Sequence, residues 1–141
     1  MSFAKTYTKF KEILEDNDFK ESDQVFDFNY VPDLKYHRSF IITPSSMTEA
    51  KQIKDLNNYI YIQLSVDVLL AYKLNAKNPV DQMNLAGQDM EGMAFRFQQF
   101  ENRPEDILEV LFKSADTKTA GGKKPTYLVS RYSYDVLYRK I

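Results

Sequence analysis

The residues that most often carry acid–base or metal chemistry are scarce in this sequence. It contains a single histidine, His37, which stands beside Arg38, and it contains no cysteine. A Ser-His-Asp triad would need His37 as its base, and no Gly-x-Ser-x-Gly turn accompanies it. Without cysteine, the chain cannot form disulfides, thiolate nucleophiles or cysteine-bound zinc sites. We interpret His37 as a surface residue and expect no histidine-bound metal.

Two glycines and two lysines at 121–124 form part of what a phosphate-binding loop requires. The first glycine of a P-loop is missing, no Ser or Thr follows the lysines, and a predicted strand follows instead of a helix. We interpret Lys123 and Lys124 as the solvated tip of a hairpin. The alternative is a lysine loop that meets an acidic partner or a phosphate backbone.

A third pattern resembles the acidic-plus-lysine motif of metal-dependent nucleases. Asp33 follows a proline, and the tripeptide Glu49-Ala50-Lys51 lies further along the chain. In such enzymes the carboxylates hold Mg²⁺ and the lysine steadies the attacking water. The second half of the motif belongs on a buried strand, whereas here it falls in a polar connection. We therefore expect no enzymatic activity, no metal and no cofactor, with a nuclease as a remote alternative.

Composition points to one ordinary globular domain. The chain has 141 residues, 19 basic and 20 acidic side chains, and a net charge of −1. This balance gives no overall field that would attract nucleic acid or an anionic membrane. The first residues lack an apolar signal core, so we expect a soluble protein made in the cytoplasm. Ten tyrosines favour an interaction surface, because tyrosine is common at interfaces.

Residues 59–74 contain the clearest structural pattern, because apolar and polar side chains alternate along them. This predicts one strand with one buried face, much longer than the typical length of about five or six residues. The other face is polar and rich in tyrosine, so we expect it to contact a partner or to line a lumen. The apolar set is Ile60, Ile62, Leu64, Val66, Val68 and Leu70, and the polar set is Tyr59, Tyr61, Gln63, Ser65 and Asp67.

Two segments have helical periodicity. Phe3, Tyr7, Phe10 and Leu14 predict an amphipathic N-terminal helix that packs on the sheet or, alternatively, docks on a neighbouring subunit. Residues 79–100 carry a stripe of methionine and phenylalanine that predicts a second helix of about five or six turns.

The second helix has a start signal and two interior glycines. Asn78 is a favourable N-cap, and Pro79 suits the first helical position. Gly87 and Gly92 each weaken a helix by about 1 kcal/mol relative to alanine. We therefore expect another element to approach the helix backbone closely at these two positions.

The first half of the chain also predicts short strands. Residues 26–30 alternate and are followed by Pro32, which is typical of an edge strand. Residues 39–42 form a second short apolar run, which we expect to end at Thr43 and Pro44. The polar residues 45–58 then predict a long connection.

The second half of the chain predicts a closing β-hairpin. Residues 107–112 favour a strand, residues 117–125 a flexible basic loop, and residues 127–138 a second long strand. Residues 1–141 are thus expected to form a single α+β domain. Its sheet is mainly antiparallel, with the N-terminal helix and one long helix packed on one face.

This order of elements resembles the tail-terminator, or tail-completion, proteins of long-tailed bacteriophages, and related neck and tail-tube components. The resemblance spans nearly the whole chain and is carried by residues 3–14, 59–74, 79–100 and 127–138. It implies a structural subunit of a homo-oligomeric ring, commonly a hexamer. Such a ring caps the tail tube and joins it to the head.

The resemblance also implies partners and a location. The partners would be further copies of the chain, the tail tube and the neck or connector proteins. Membranes are not implied, and nucleic acid would only pass through the ring lumen. The protein would be made in the host cytoplasm and end in the virion. We take as candidate interface residues Tyr59, Tyr61, Gln63, Ser65, Lys118, Lys123, Lys124 and Arg131.

A different class of function stays open from the residues alone. Many α+β domains are monomeric or dimeric interaction modules, such as adaptors or inhibitors, and their sequences have the same patterns. The oligomeric state of the purified protein distinguishes that class from a ring.

Overall fold

A computed structural model of the chain describes residues 2–22, 26, 37–49, 60–74, 79–98, 107–120 and 127–140. These ranges contain two α-helices, one 3₁₀ turn and five strands. In chain order they are α1 (Ser2–Asp16), β1 (Lys20–Glu21), β2 (Ser39–Glu49), β3 (Ile60–Lys73), α2 (Pro79–Met93), the 3₁₀ turn (Arg96–Gln98), β4 (Ile107–Ala120) and β5 (Tyr127–Lys140).

The five strands form one sheet in the order β1-β2-β3-β5-β4. Only β1 runs parallel to its neighbour, and the other three pairings are antiparallel. Two long hairpins, β2–β3 and β4–β5, are joined by pairing of β3 with β5 along their whole length. The predicted α+β fold with a mainly antiparallel sheet is therefore confirmed.

The connected ends of the two hairpins lie at opposite ends of the sheet. Glu49 pairs with Ile62 near the start of β3, whereas Ala120 pairs with Tyr127, which also pairs with Lys73 at the end of β3. Because β3 has 14 residues, these ends are about 45 Å apart. The connections that join the strands of each hairpin therefore start from opposite ends of the sheet.

Both helices lie against the same face of the sheet, called here the inner face. The apolar alternation predicted for β3 is confirmed, since Val66, Val68 and Leu70 are fully buried there. Phe10 of α1 meets Tyr134 of β5 at a ring-centroid distance of 5.4 Å, and both rings contact Phe97 of the 3₁₀ turn, at 4.8 and 5.3 Å. Edge-to-face aromatic contacts of this kind stabilise a core beyond the area that they bury.

Polar side chains tie the helices to the sheet at defined points. The Tyr72 hydroxyl of β3 donates to the Asp89 carboxylate of α2 at 2.8 Å. Arg38 donates to the Asn17 carbonyl oxygen at 2.7 Å, and its guanidinium also lies 3.4 Å from the Asp89 carboxylate. Tyr134 donates to the Ala94 carbonyl oxygen. These bonds satisfy groups that would otherwise be buried without partners.

The helix predicted for residues 79–100 is shorter than expected. α2 ends at Met93, a turn follows at Ala94, and the chain then forms the 3₁₀ turn. The last carbonyl groups of a helix need partners outside it, and the Tyr134 hydroxyl supplies one to Ala94. Met83, a methionine of the predicted stripe, is 45% exposed.

The expected close approach to the glycines of α2 is wrong. A Cβ atom built on Gly87 or on Gly92 would meet no atom within 4 Å, and both residues are exposed. Their conformational cost is therefore not balanced by packing at these positions.

Two strands extend further than the sequence pattern predicts. β2 continues through Pro44 to Glu49, with a register shift between Pro44 and Ser46. A bulge is a position where a strand tolerates proline, which has no N–H to donate. β4 continues to Ala120, so its last four residues are not the flexible loop expected there.

Several predicted features lie outside the described residues. They include most of the strand at 26–30 with Pro32, the helix cap Asn78, and Asp33, Ala50 and Lys51 of the nuclease-like pattern. Phe26 is described and does not belong to a strand. Within the described ranges, no helix has the length and apolar character needed to cross a membrane.

His37 is half-buried, which corrects its interpretation as a surface residue. Its Nδ1 atom accepts the backbone N–H of Lys73 at 2.9 Å, at the end of β3. Burial lowers the pKa of the imidazole, and the nearby charges of Arg38 and Lys20 lower that pKa further. The neutral ring therefore helps to hold the end of β3 in place.

Candidate functional site: the outer face of the sheet

The face of the sheet opposite the helices, called here the outer face, carries the predicted interface residues that the structure describes. Side chains of odd-numbered residues in β3 and β5 point to this face, because alternate residues of a strand face opposite sides. Beside them lie the side chains of β4 whose partners on β5 are odd-numbered, such as Asp116 opposite Arg131.

Five of the eight candidate residues lie on the outer face. Tyr61, Gln63 and Ser65 belong to β3, Arg131 to β5, and Lys118 to the edge strand β4. The set is spread along the face, because Lys118 pairs with Val129 whereas Ser65 pairs with Asp135, about 20 Å further along β5. Gln63 and Lys118 are exposed, and the side chain of Arg131 is 51% exposed.

One of these five residues is largely covered, and the remaining three candidates are not described. Tyr61 lies on the outer face but is only 9% exposed, so its ring packs against the protein itself. Tyr59, Lys123 and Lys124 lie outside the described residues.

The centre of the outer face is an ion-paired network around Asp67. This carboxylate is only 5% exposed, and it accepts hydrogen bonds from Arg131 Nη2 at 2.6 Å and from Arg131 Nε at 3.1 Å. Ser133 donates to its other oxygen at 2.8 Å. Charge-assisted hydrogen bonds of this geometry are stronger than those between neutral groups, and a buried carboxylate requires such donors.

A second group of polar residues lies next to the first along the strands. The Ser65 hydroxyl donates to Asp135 at 2.9 Å, and Lys113 Nζ lies 3.6 Å from the same carboxylate. Lys113 falls at the register shift between Phe112 and Ser114, where a bulge redirects the side chain of the strand. β3, β4 and β5 are therefore linked across the outer face by side chains as well as by backbone pairing.

Reasoning from the sequence did not assign three of these polar residues, Lys113, Ser133 and Asp135, to the site, and it missed the role of Asp67. The alternation of β3 places Asp67 on the polar face, which is a usable signal. Its partner Arg131 is 64 positions away, and nothing local shows which residue of β5 lies opposite it. That pairing depends on the register between β3 and β5.

One end of the outer face is covered by the chain itself. Ala71 and Tyr127 are buried there, and Phe26 packs against them. The Lys73 ammonium also lies 5.2 Å from the centre of the Tyr127 ring, a cation–π distance. The part of the face available to a partner therefore lies toward the middle and the opposite end, around Gln63 and Arg131.

The carboxylates of Asp67 and Asp135 are bound by guanidinium, ammonium and hydroxyl donors of the chain, so they are poor candidates for a free general base. Across the parts of the chain that the structure describes, no three His, Asp or Glu side chains form a group that could hold a metal ion.

Comparisons with known proteins give no independent indication of a function. No known protein family matches the sequence, and neither does any curated protein.

Proposed function

We propose that this chain is a structural assembly protein that forms a homo-oligomeric ring. The ring would cap a phage tail tube and join it to the head, as implied by the resemblance to tail-terminator proteins. The observation that carries the proposal is the outer face itself, a long polar surface whose buried charges are already paired within one subunit. A hexamer is the expected size.

The paired network makes the outer face suitable as an interface. Covering a polar group costs free energy unless it keeps its hydrogen bonds. Asp67, Arg131 and Ser133 bond to one another, so a neighbouring subunit can cover much of this network without leaving Asp67 unpaired. The exposed Gln63 remains to donate and accept across the contact.

A closed ring also needs a second, different surface on each subunit. Cyclic assemblies use heterologous contacts, in which one patch meets another patch of the next copy. The helices cover only the inner face, so the two sides of the molecule differ in shape and chemistry. The hairpin ends, about 45 Å apart on opposite ends of the sheet, would then point toward the layers above and below the ring.

The proposal is tested first by native mass over a range of concentrations, with negative-stain images of the same samples. Closed rings, expected to be six-fold, support it. A monomer at every concentration, both alone and mixed with tail tubes, contradicts it and favours the alternative of a small interaction module.

A pair of matched substitutions tests the role of the outer face. Gln63→Arg places a charge on the outer face, whereas Gln88→Arg makes the same change on the exposed surface of α2. We expect Gln63→Arg to reduce ring formation and Gln88→Arg to leave it unchanged, with both variants folded by circular dichroism. If both variants form rings equally well, the outer face is not part of the contact between subunits.

The lysines of the β4–β5 connection are tested separately. Reversing the charges of Lys123 and Lys124 should spare folding and ring formation and should impair joining to tail or head structures in a reconstitution assay. Unchanged joining would exclude this connection from the contact.

A further inference from the structure

The free edge of the sheet at β4 is a second surface, distinct from the outer face. β4 has one neighbour, β5, so the other side of its backbone is not paired within the described sheet. From Lys113 to Thr119 every residue except Ala115 is exposed, as are Glu109 and Leu111. An edge strand of 14 residues, with most of its second half exposed, is a template for pairing with another strand.

The charges along β4 determine which strand would fit. Edge strands usually carry charged residues that oppose pairing with unrelated strands. On β4 these residues are Glu109, Lys113, Asp116 and Lys118, two of each sign. Neither Glu109, Asp116 nor Lys118 forms an ion pair with another residue of the described chain. When two copies of β4 run antiparallel, negative residues of one copy can lie opposite positive residues of the other.

We propose that β4 pairs antiparallel with β4 of a second copy of this chain. The register sets Glu109 of one copy opposite Lys118 of the other, so that the two-fold axis passes between Lys113 and Ser114. Each favourable contact then occurs twice, as in any isologous interface. Lys113 also comes diagonally next to Asp116 of the other copy, within reach of a long side chain.

The bulge in β4 makes this register consistent with the two faces of the sheet. Before the bulge the outer-face residues are Glu109 and Leu111, which pair with Leu137 and Asp135 of β5. After the bulge the outer-face residues of β4 are even-numbered. Lys118, for example, pairs with Val129, whose side chain lies on the outer face. Antiparallel self-pairing sets the first half of β4 against the second half, so outer-face residues meet outer-face residues.

A slip of the register loses the pairs between Glu109 and Lys118. Moving the partner by two residues in one direction sets Glu109 opposite Asp116, and like charges directly opposite each other are destabilising. Moving it in the other direction sets Lys113 opposite Asp116, but it also brings an outer-face residue of one copy opposite an inner-face residue of the other beside the two-fold axis. The charges and the alternation of faces therefore select one register together.

This edge contact is independent of the proposed ring. An isologous contact closes at two copies and leaves the outer face free, whereas a ring requires heterologous contacts. Ring formation without the crosslink described below would overturn the edge proposal and leave the ring proposal intact.

Disulfide crosslinking tests the register directly, because the chain has no cysteine of its own. Glu109→Cys and Lys118→Cys are prepared as separate proteins and mixed under mild oxidation. Positions 109 and 118 are about 30 Å apart within one strand, too far for a bond inside one subunit. We expect disulfide-linked dimers in the mixture and few in either protein alone.

A neighbouring position supplies the matched control. Thr119 is as exposed as Lys118 but lies on the opposite face of β4, so Thr119→Cys mixed with Glu109→Cys should crosslink far more slowly. Equal rates for the two mixtures, or equally rapid crosslinking of Glu109→Cys alone, would show random collision and overturn the proposal.

Charge exchange provides a second measurement that needs no crosslink. Lys118→Glu sets Glu109 opposite a like charge twice per dimer and should weaken dimerisation about tenfold or more in sedimentation experiments at low salt. The double variant Glu109→Lys, Lys118→Glu should restore it. A wild-type protein that stays monomeric at about 100 μM, well above the Kd of ordinary specific dimers, would contradict the proposal.

Discussion

At the scale of single residues, the outer face depends on how one carboxylate is accommodated. Asp67 is nearly inaccessible, yet it lies on the face of β3 that the sequence marks as polar. It is tolerated there because Arg131 and Ser133 donate three hydrogen bonds to it. A buried carboxylate without such donors would be strongly unfavourable.

Replacing Arg131 with methionine tests this account. The variant keeps an apolar stem but leaves the Asp67 carboxylate with Ser133 as its remaining side-chain donor. We expect the free energy of unfolding to fall by about 1–3 kcal/mol, measured by urea denaturation at neutral pH. Lys20→Met removes an exposed cation from β1, outside both proposed interfaces, and should change stability by less than about 0.5 kcal/mol. Equal losses in the two variants would show that the ion pair contributes nothing specific.

At the scale of elements, α2 illustrates how tertiary contacts override a local pattern. Its methionine and phenylalanine stripe continues to Phe100 in the sequence, but the helix ends at Met93. Tyr134 binds the Ala94 carbonyl, and Phe97 leaves the helix to pack between Phe10 and Tyr134. A different local conformation is stable there because it buries an aromatic ring.

Gly87 gives a prediction at this scale. It lies in the interior of α2, and an added Cβ would meet no atom within 4 Å. Gly87→Ala should therefore stabilise the protein by about 0.5–1 kcal/mol, because alanine loses less backbone freedom on folding. Thermal and urea unfolding measure the change. Gly92→Ala, one residue before the end of the helix, should give a smaller gain. Destabilisation by Gly87→Ala would show that something packs against this position.

At the scale of the whole molecule, the inner face is an aromatic core with buried hydroxyl groups. Tyr72, Tyr132 and Tyr134 are fully buried on β3 and β5. Burial is the largest cause that raises the pKa of each phenol well above its usual value. The neighbouring Tyr132 raises the pKa values of Tyr72 and Tyr134 further, and the Asp89 carboxylate raises those of Tyr72 and Tyr132. The folded state therefore keeps these three hydroxyl groups protonated.

These pKa shifts predict loss of stability at alkaline pH. Each folded-state pKa is raised above the unfolded value near 10, so the unfolded chain releases its protons more readily. The stabilisation is fully present below about pH 10 and is lost as the pH rises further. Tyrosinate absorbance should show these three of the ten tyrosines ionising only as circular dichroism reports unfolding. Smooth ionisation of all ten with the fold intact would contradict the buried positions.

The local patterns of the sequence were enough to predict the element types and the fold class. The stripe of α1, the alternation of β3 and the closing strand β5 are set by which side chains avoid water at periods of 3.6 and 2 residues. Each of these patterns lies within one segment. They led directly to an α+β domain with helices on one face and to the polar outer face of β3.

The extent of the strands, the end of α2 and the polar network were decided only by the tertiary structure. β2 passes Pro44 because β3 pairs with it on both sides of a bulge, and α2 stops where Tyr134 binds its last turn. Asp67 meets Arg131 through a register that joins residues 64 positions apart. Such contacts depend on which strands become neighbours, and that is determined by burial of the whole inner face rather than by any single segment.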